Sequence, residues 1–438
     1  MKLQVLMEVD VQEELETFQE VESKIREAMF LSGTRLLEQV FEEYEKQALE
    51  KKRYWMKDRR EKKYETRVGV ITWKRLRVWD HKEERYGYPL DEWLGLKPGE
   101  KVTQGLREAL VEAVVERSYR KATAEINQWT GVNRRPISNW KLIQKIAEEE
   151  KSREAPIPDW HLKPLPAFDP SLKEDPCPIL AMDPDGTYCR NQEKLGADHD
   201  VKVAVLYPSK SPERSGKRWR LNNKQVLFSR SDESVRDFFN RVTQRAMSYY
   251  GAHRETKVVI HGDGDLWIKG LKENYWDQSL IRLDPWHLKK KIRIATGFPI
   301  PPEWEASIYG KPDLLISQIQ MWKVQHTAIN SPEREKVEEL VFYIRNNREG
   351  LLPSGVPMEI KEKYPGMFKR GSGTIESNIG HEFNVRFKQA RMSWSDRGLD
   401  NLSYLREKQV NRHGKSRYLV PQPLTRQTVA QKMGRSLH

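Results

Sequence analysis

The chain has 438 residues, with 77 basic and 64 acidic side chains and a formal charge of +13, a length suited to roughly two to four domains and an ample core. Residues 1–50 hold 5 basic and 13 acidic side chains, so the remainder carries +21, a balance suited to neutralising phosphates. No apolar run reaches the roughly 18 residues of a membrane span, MKLQVLMEVDVQEE lacks the apolar segment of a secretory signal, and Cys177 and Cys189 alone support neither a disulfide framework nor a structural zinc; the expectation is a cytoplasmic protein without membrane contact.

From Val11 to about Arg60, Leu15, Phe18, Val21, Ile25, Met29, Leu36, Val40, Phe41 and Tyr44 recur at helical spacing. This predicts an N-terminal helical region over 1–60, as one or two amphipathic helices with Gly33 a candidate break. The helix either packs on its own domain or dimerises. Its basic end, KKRYWMKDRREKK, is a solvated face or one that follows a DNA backbone. Residues 61–100 predict a small β-rich basic unit, with Lys74, Arg75 and Arg77 beside Trp73 and Trp79 as core. Residues 101–150 read as three helices. Val102, Leu106, Leu110 and Val114 form a stripe in the first, the second runs from about Ser118 to Thr130, Gly131 turns the chain, and Pro136 opens the third. There Trp140, Ile143 and Ala147 share one side and Ser138, Lys141 and Lys145 another. This order fits a helix-turn-helix, whose last helix offers its first polar residues to the major groove. The N-terminal region is therefore expected to be α+β.

Residues 151–176 are proline-rich and read as a linker. Beyond Cys177, strands are predicted at Ile179–Tyr188, Val201–Tyr207, Trp219–Phe228, Val258–His261 and Leu280–Leu283, with an amphipathic helix, SDESVRDFFNRVTQRAMSYYG, between the third and fourth. Three strands, a helix and a further strand open a ribonuclease H-like fold. The expectation is an α/β core with a mixed sheet over 177–294 and 371–412, interrupted by an α-helical insertion at 295–370 and followed by a basic tail at 413–438.

Three segments place carboxylates at the edge of this core. Asp183 and Asp185, two apart in a strand, point to one face, and Pro184 between them is expected to interrupt pairing. Asp185 is preferred because Gly186 leaves space beside it; the alternative is a surface turn of Asp-Pro-Asp-Gly type. Asp263 ends the run VVIHG between two glycines, the place where open sheets build sites, while Asp265 reads as the N-cap of the next helix. In GTIESNIGHEFNVRFK, Ile375, Ile379, Phe383 and Phe387 form an i+4 stripe. Glu376 borders the stripe, Glu382 is expected to face solvent, and His381, Asn384, Lys388 and Arg391 make a polar, basic flank suited to a phosphate backbone. Asp284-Pro285 reads as a helix cap and first turn, from which His287 either approaches the site or does not; Lys289, Lys290, Lys291 and Arg293 follow it. Trp394 either packs or stacks on a base.

DPDGTYCRNQ, GDGDLWIKG, LDPWHLKK and GTIESNIGHEFNVRFKQARMSWSDRGLDNL resemble segments of bacterial insertion-sequence transposases of the DDE class, above all the ISLre-type family, which is also catalogued as an uncharacterised protein family and is related to Mutator-like transposases. The resemblance runs from about Arg53 to Leu405 and departs at Pro184 and Asp265. It implies a metal-dependent recombinase that cleaves DNA at its element's ends and joins them to target DNA. Asp185, Asp263 and Glu376 would be metal ligands and catalytic, His287 catalytic, and Asp284 and Asp183 auxiliary. The implied cofactor is Mg²⁺ as two ions, with Mn²⁺ as a substitute. The implied partners are double-stranded DNA, met in part by Ser138, Lys141, Lys145, Lys388 and Arg391, and further copies of the chain when on DNA. The implied location is the nucleoid. Two rivals stand beside it: a structure-selective nuclease on the same fold, and a domesticated DNA-binding protein without catalysis.

Overall fold

The computed structural model describes residues 3–9, 17–50, 53–170, 177–194, 196–212, 219–297, 299–308, 310–352, 356, 358–368 and 374–412. The expected basic tail at 413–438, the start of the N-terminal helix at 10–16 and the linker residues 171–176 lie outside them. The chain divides into two compact units, one reaching Glu149 and the other starting at Glu150. Among the described residues, no helix is long and apolar enough to cross a membrane.

The first unit opens with one helix, α1 (Phe18–Glu50), followed by an antiparallel sheet of β1 (Tyr54–Thr66), β2 (Gly69–Asp80) and β3 (Arg85–Gly87). Gly33 does not break α1; Val68 Cβ stands 3.2 Å from where a side chain there would begin, so the glycine serves a close approach. The helical expectation for residues 53–60 is corrected. Residues 54–60 are the first part of β1, paired but for a bulge between Met56 and Asp58 with the β-branched and aromatic β2, and that cross-strand partner outweighs the local pattern. Phe41, Tyr64, Ile71 and Leu90 form the core under α1 and the short α2 (Pro89–Trp93), with Trp73 packed against it. Helices α3 (Gln104–Glu116), α4 (Tyr119–Thr130) and α5 (Pro136–Lys151) follow. Val102, Leu106, Leu110 and Val114 are buried as the stripe requires, and Gly131 caps α4 at φ +67°. In α5 the expected inward Trp140 is only half-buried. Asn139 takes the interior place, donating to Thr123 Oγ1 at 2.8 Å and accepting from Arg134.

The second unit is mixed α/β. Strands β4 (Ile179–Asn191), β5 (Asp198–Tyr207), β6 (Ser209–Pro212), β7 (Trp219–Asn222), β8 (Gln225–Phe228), β9 (Lys257–Gly262) and β10 (Leu280–Leu283) alternate with α6 (Val235–Tyr250) and α7 (Leu266–Tyr275). The main sheet runs β10-β9-β4-β5-β8, with a two-residue β11 (Ser393–Trp394) also on β4. β4, β5 and β8 pair antiparallel, whereas β9 and β10 run parallel to β4. The predicted strand Trp219–Phe228 is two strands; β7 leaves the main sheet to pair with β6. Pro184 does not interrupt the β5 side, where Pro184 faces Ala204 in continuous register. Pairing with β9 stops earlier, at Met182, so the missing N–H falls where the two strands have already parted.

Leu180, Met182, Leu206 and Ile260 pack on Phe238, Phe239 and Val242 of α6, whose ends are set by Ser234 and Gly251. α8 (Pro285–Thr296) leads into the expected insertion, which is helical: α9 (Pro302–Ser307), α10 (Pro312–His326), α11 (Pro332–Asn346), α12 (Arg348–Leu351), α13 (Met358–Lys363) and α14 (Pro365–Phe368). Trp304, Leu315, Ile319, Leu340 and Ile344 form its core, which Leu288 of α8 joins. The chain returns through α15 (Thr374–Asn378), a π turn at Ile379–Asn384, α16 (Val385–Phe387) and α17 (Asp396–Val410). Trp394 packs: it is 9% exposed and donates from Nε1 to the Phe387 carbonyl at 2.9 Å.

Glu407 of α17 locks that helix onto β8. It accepts from the Phe228 amide at 3.0 Å and lies 3.4 Å from Arg241 and 3.7 Å from Arg230. Burial would raise its pKa, but Arg230 and Arg241 outweigh burial and hold it below the ordinary value. Glu407→Ala takes the nearest carboxylate from Arg230 and leaves Arg241 to Glu233, and is expected to cost about 3–5 kcal/mol, measured by urea unfolding.

Candidate active site

Three neighbouring strands each deliver an acid to one cleft, β4 from its middle and β9 and β10 from their carboxyl ends. Asp185 lies just past the point where β4 leaves β9, Asp263 follows β9 directly, and Asp284 follows β10. Asp185, Asp263, Asp284 and His287 line one narrow cleft together with Thr374 and Ile375 of α15. Glu376, two residues beyond Thr374, brings Oε1 to 3.4 Å from His287 Nε2. Residues 185, 263, 284, 287 and 376 thus meet at the edge of the sheet where α/β folds bind ligands.

Local geometry holds each group. Asp185 Oδ1 accepts from the Gly186 amide at 2.7 Å. Asp263 Oδ1 accepts from the Asp265 amide at 3.0 Å. Asp265 does occupy the N-cap of α7, but its own side chain makes no capping bond. Asp284 caps α8 through the Trp286 amide at 3.0 Å and meets His287 Nδ1 with its other oxygen at 3.2 Å.

Asp183 does something different from Asp185. It is 1% exposed and accepts from Tyr207 Oη at 3.0 Å and from Thr374 Oγ1, with His261 Nδ1 at 2.6 Å. Burial would raise its pKa, but the His261 imidazole leads the groups that outweigh burial and hold it low. Asp183 is therefore a paired anchor beneath the cleft. Burial, then the fields of Asp263 and Glu376, push Asp185 up to about 6. Asp263 is raised by burial and by Asp265. His287 is raised chiefly by its bond to Asp284.

Groups strained toward neutrality by one another are hard oxygen donors that a divalent cation would relieve, and the residues present fit such an ion. His287, Asp284 and Glu376 bring ligand atoms within 4.8 Å of one another.

Glu382 was expected in solvent. The π turn carries it instead to Lys224 Nζ at 2.5 Å, because a widened turn shifts every following residue around the helix axis. His381, Lys388 and Arg391 are exposed, while Asn384 accepts from Thr187 at 3.4 Å. Lys290, Lys291 and Arg293 project from α8 into solvent, whereas Lys289 pairs with Glu305. Ser138, Lys141 and Lys145 are exposed in the first unit, Lys145 being paired with Glu100 at 2.6 Å.

Sequence reasoning missed His261, Thr374 and Tyr343. His261 had a signal, as a polar residue in the apolar run before Asp263 and on the same face of the strand. Tyr343 had none. It arrives from the insertion and donates to the Asp263 carbonyl. Beside it, Gly264 at φ +90° is so close to Asn347 that a Cβ would stand 2.5 Å from Oδ1, so only glycine fits that turn.

A family model described as "Uncharacterised protein family (UPF0236)" matches residues 11–420. Among curated relatives, a UPF0236 protein of Caldanaerobacter subterraneus subsp. tengcongensis is 24% identical over 396 residues, 88% of this chain and 76% of its own. A second from that organism is 25% identical over 402 residues, again 88% and 76%. The UPF0236 protein in the vanSb 3′ region of Streptococcus gallolyticus is 24% identical over 407 residues, 90% and 83%.

The raised Asp185 gives a signed pH dependence. Below its ordinary value near 4, Asp185 is protonated in both folded and unfolded chains and has no effect on stability. As pH rises from there to about 6, the unfolded chain ionises first, so the metal-free fold loses stability, and the loss is complete above that window. Asp185→Asn is expected to unfold with wild type at pH 4 and to be more stable by about 2–3 kcal/mol at pH 7.5, read by thermal melts in chelator.

Proposed function

We propose that this chain, which belongs to the UPF0236 family, is a DDE-type transposase: it binds the terminal inverted repeats of its own insertion sequence and carries out metal-dependent DNA cleavage and strand transfer. The observation that carries the reading is that Asp185 and Asp263, from two neighbouring strands, line one cleft with His287, and that Glu376, from a third distant segment, stands 3.4 Å from His287 and acts on Asp185. The order of the second unit supports it: three antiparallel strands, a helix, then two strands parallel to the first, as in a ribonuclease H-like fold. A further support is that the name of one relative joins eleven loci of a single genome and that of another joins four, as expected of a sequence copied about a chromosome.

Bound Mg²⁺, with Mn²⁺ as substitute, would neutralise the phosphate and activate a water or 3′-hydroxyl for in-line attack. Asp185 and Asp263 supply oxygen donors from the sheet, and Glu376 supplies one from the opposite wall. His287 completes the site, held by Asp284. The exposed Lys290, Lys291 and Arg293, with Lys388 and Arg391, offer charge for the backbone leading to the scissile bond. In the first unit, α3, α4 and α5 act as the helix-turn-helix, with Ser138 and Lys141 free for DNA and Lys145 exchanging Glu100 for a phosphate. Two ends handled together require more than one copy of the chain on DNA, at the nucleoid of the cytoplasm.

The test incubates the full chain with labelled duplex carrying the element's ends, Mg²⁺ and a target plasmid. Joined products are expected; cleavage without joining would make it a structure-selective nuclease, and binding without either a domesticated DNA-binding protein. Asp263→Asn should lower joining by more than the roughly 10- to 100-fold typical of outer-shell changes. Lys141→Ala should weaken end binding and reduce the salt slope by about 1 while sparing cleavage at saturating protein, as read by gel shift over a salt series.

A further inference from the structure

The wall of the cleft formed by α8 and α15 differs chemically from the wall formed by the sheet. Asp185 and Asp263 offer oxygen only. On the other wall, Asp284, His287 and Glu376 bring two carboxylate oxygens and an imidazole nitrogen within 4.8 Å of one another.

The arrangement there is directional. Asp284 is 5% exposed and already engaged, with one oxygen on the Trp286 amide and the other on His287 Nδ1 at 3.2 Å. A carboxylate behind Nδ1 keeps the proton on that nitrogen and leaves the Nε2 lone pair facing outward, the usual support of a metal-bound histidine. Nε2 is 3.4 Å from Glu376 Oε1. That spacing is long for a hydrogen bond. It suits two ligands of one ion, since bonds of about 2.1 Å meeting at right to tetrahedral angles separate their donors by about 3.0–3.4 Å.

We propose that His287 Nε2 and Glu376 form a nitrogen-containing cation position, with Asp284 as the positioning residue behind the imidazole, and that this position takes Mn²⁺ in preference to Mg²⁺. The proposal rests on reading the cleft as a divalent-metal phosphodiester site and says which ion that site selects. Mg²⁺ favours oxygen donors and keeps its waters; first-row transition ions accept imidazole, Mn²⁺ being the weakest binder among them. The all-oxygen wall of Asp185 and Asp263 takes either ion.

The test needs no turnover. The full chain is stripped of metal, loaded with Mn²⁺ and examined by electron spin-echo modulation, with Mn²⁺ and Mg²⁺ affinities measured by calorimetry. The expected result is coupling to one directly bound imidazole nitrogen in wild type and its loss in His287→Gln. Mn²⁺ affinity should fall about 10- to 100-fold in that variant, and Mg²⁺ affinity less than about threefold. Asp284→Asn preserves the helix cap, since asparagine caps as well as aspartate. It should keep the nitrogen coupling and weaken Mn²⁺ binding about tenfold; unchanged affinity would remove its positioning role. Nitrogen coupling that persists in His287→Gln overturns the assignment. Mn²⁺ bound without nitrogen coupling in wild type overturns it too, yet leaves the transposase reading standing. A wild-type chain that binds neither ion overturns both.

Discussion

Burial of Asp183 would by itself favour the neutral acid, and what keeps it ionised also holds the cleft in shape. Tyr207 comes from β5, His261 from β9 and Thr374 from the start of α15, and all three bond to this one carboxylate of β4. A buried charge that loses a partner costs several kcal/mol, so none of these segments can move away alone. Two residues along the same strand face, Asp185 has no such set of partners and is pushed toward neutrality. The paired carboxylate below fixes the positions; the frustrated ones above are left with donor capacity for a cation.

The helical insertion takes part in this arrangement. Tyr343 of α11 holds the carbonyl of Asp263, and Asn347 fills the space beside Gly264. The loop that aims the second aspartate is thus braced by a segment some eighty residues downstream, and the insertion's own core reaches back to Leu283 at the end of β10. Site and insertion share one packing unit.

Elements with local signals were legible in the sequence. Leu280–Leu283 is a strand with the expected bounds, Ser234 and Gly251 delimit α6, and the Asp284-Pro285 pair starts α8. The stripe Ile375, Ile379, Phe383 and Phe387 is buried as its spacing requires, and Asp185 and Asp263 line a cleft with His287, which Glu376 approaches to 3.4 Å. What escaped notice depends on partners far along the chain. Residues 53–60 look helical until β2 pairs with them, Trp219–Phe228 looks like one strand until β6 claims half of it, and Asn139 displaces Trp140 because Thr123 and Arg134 wait to bond it. Asp183 and Asp185 are alike in sequence and differ only in what surrounds them.

The π turn at Ile379–Asn384 has a consequence for how this region tolerates change. Arg406 of α17, 3% exposed, donates to the carbonyls of His381 and Glu382, so the loosened hydrogen-bond ladder is closed by a side chain from elsewhere. A π turn holds one residue more than an α turn. Deleting a residue here would let the ladder close on itself, idle Arg406, and swing Lys388 by roughly 100° relative to Glu376. The surplus residue thus sets the phase between the acidic and basic halves of one helix, which makes this stretch far less forgiving of length changes than of substitutions.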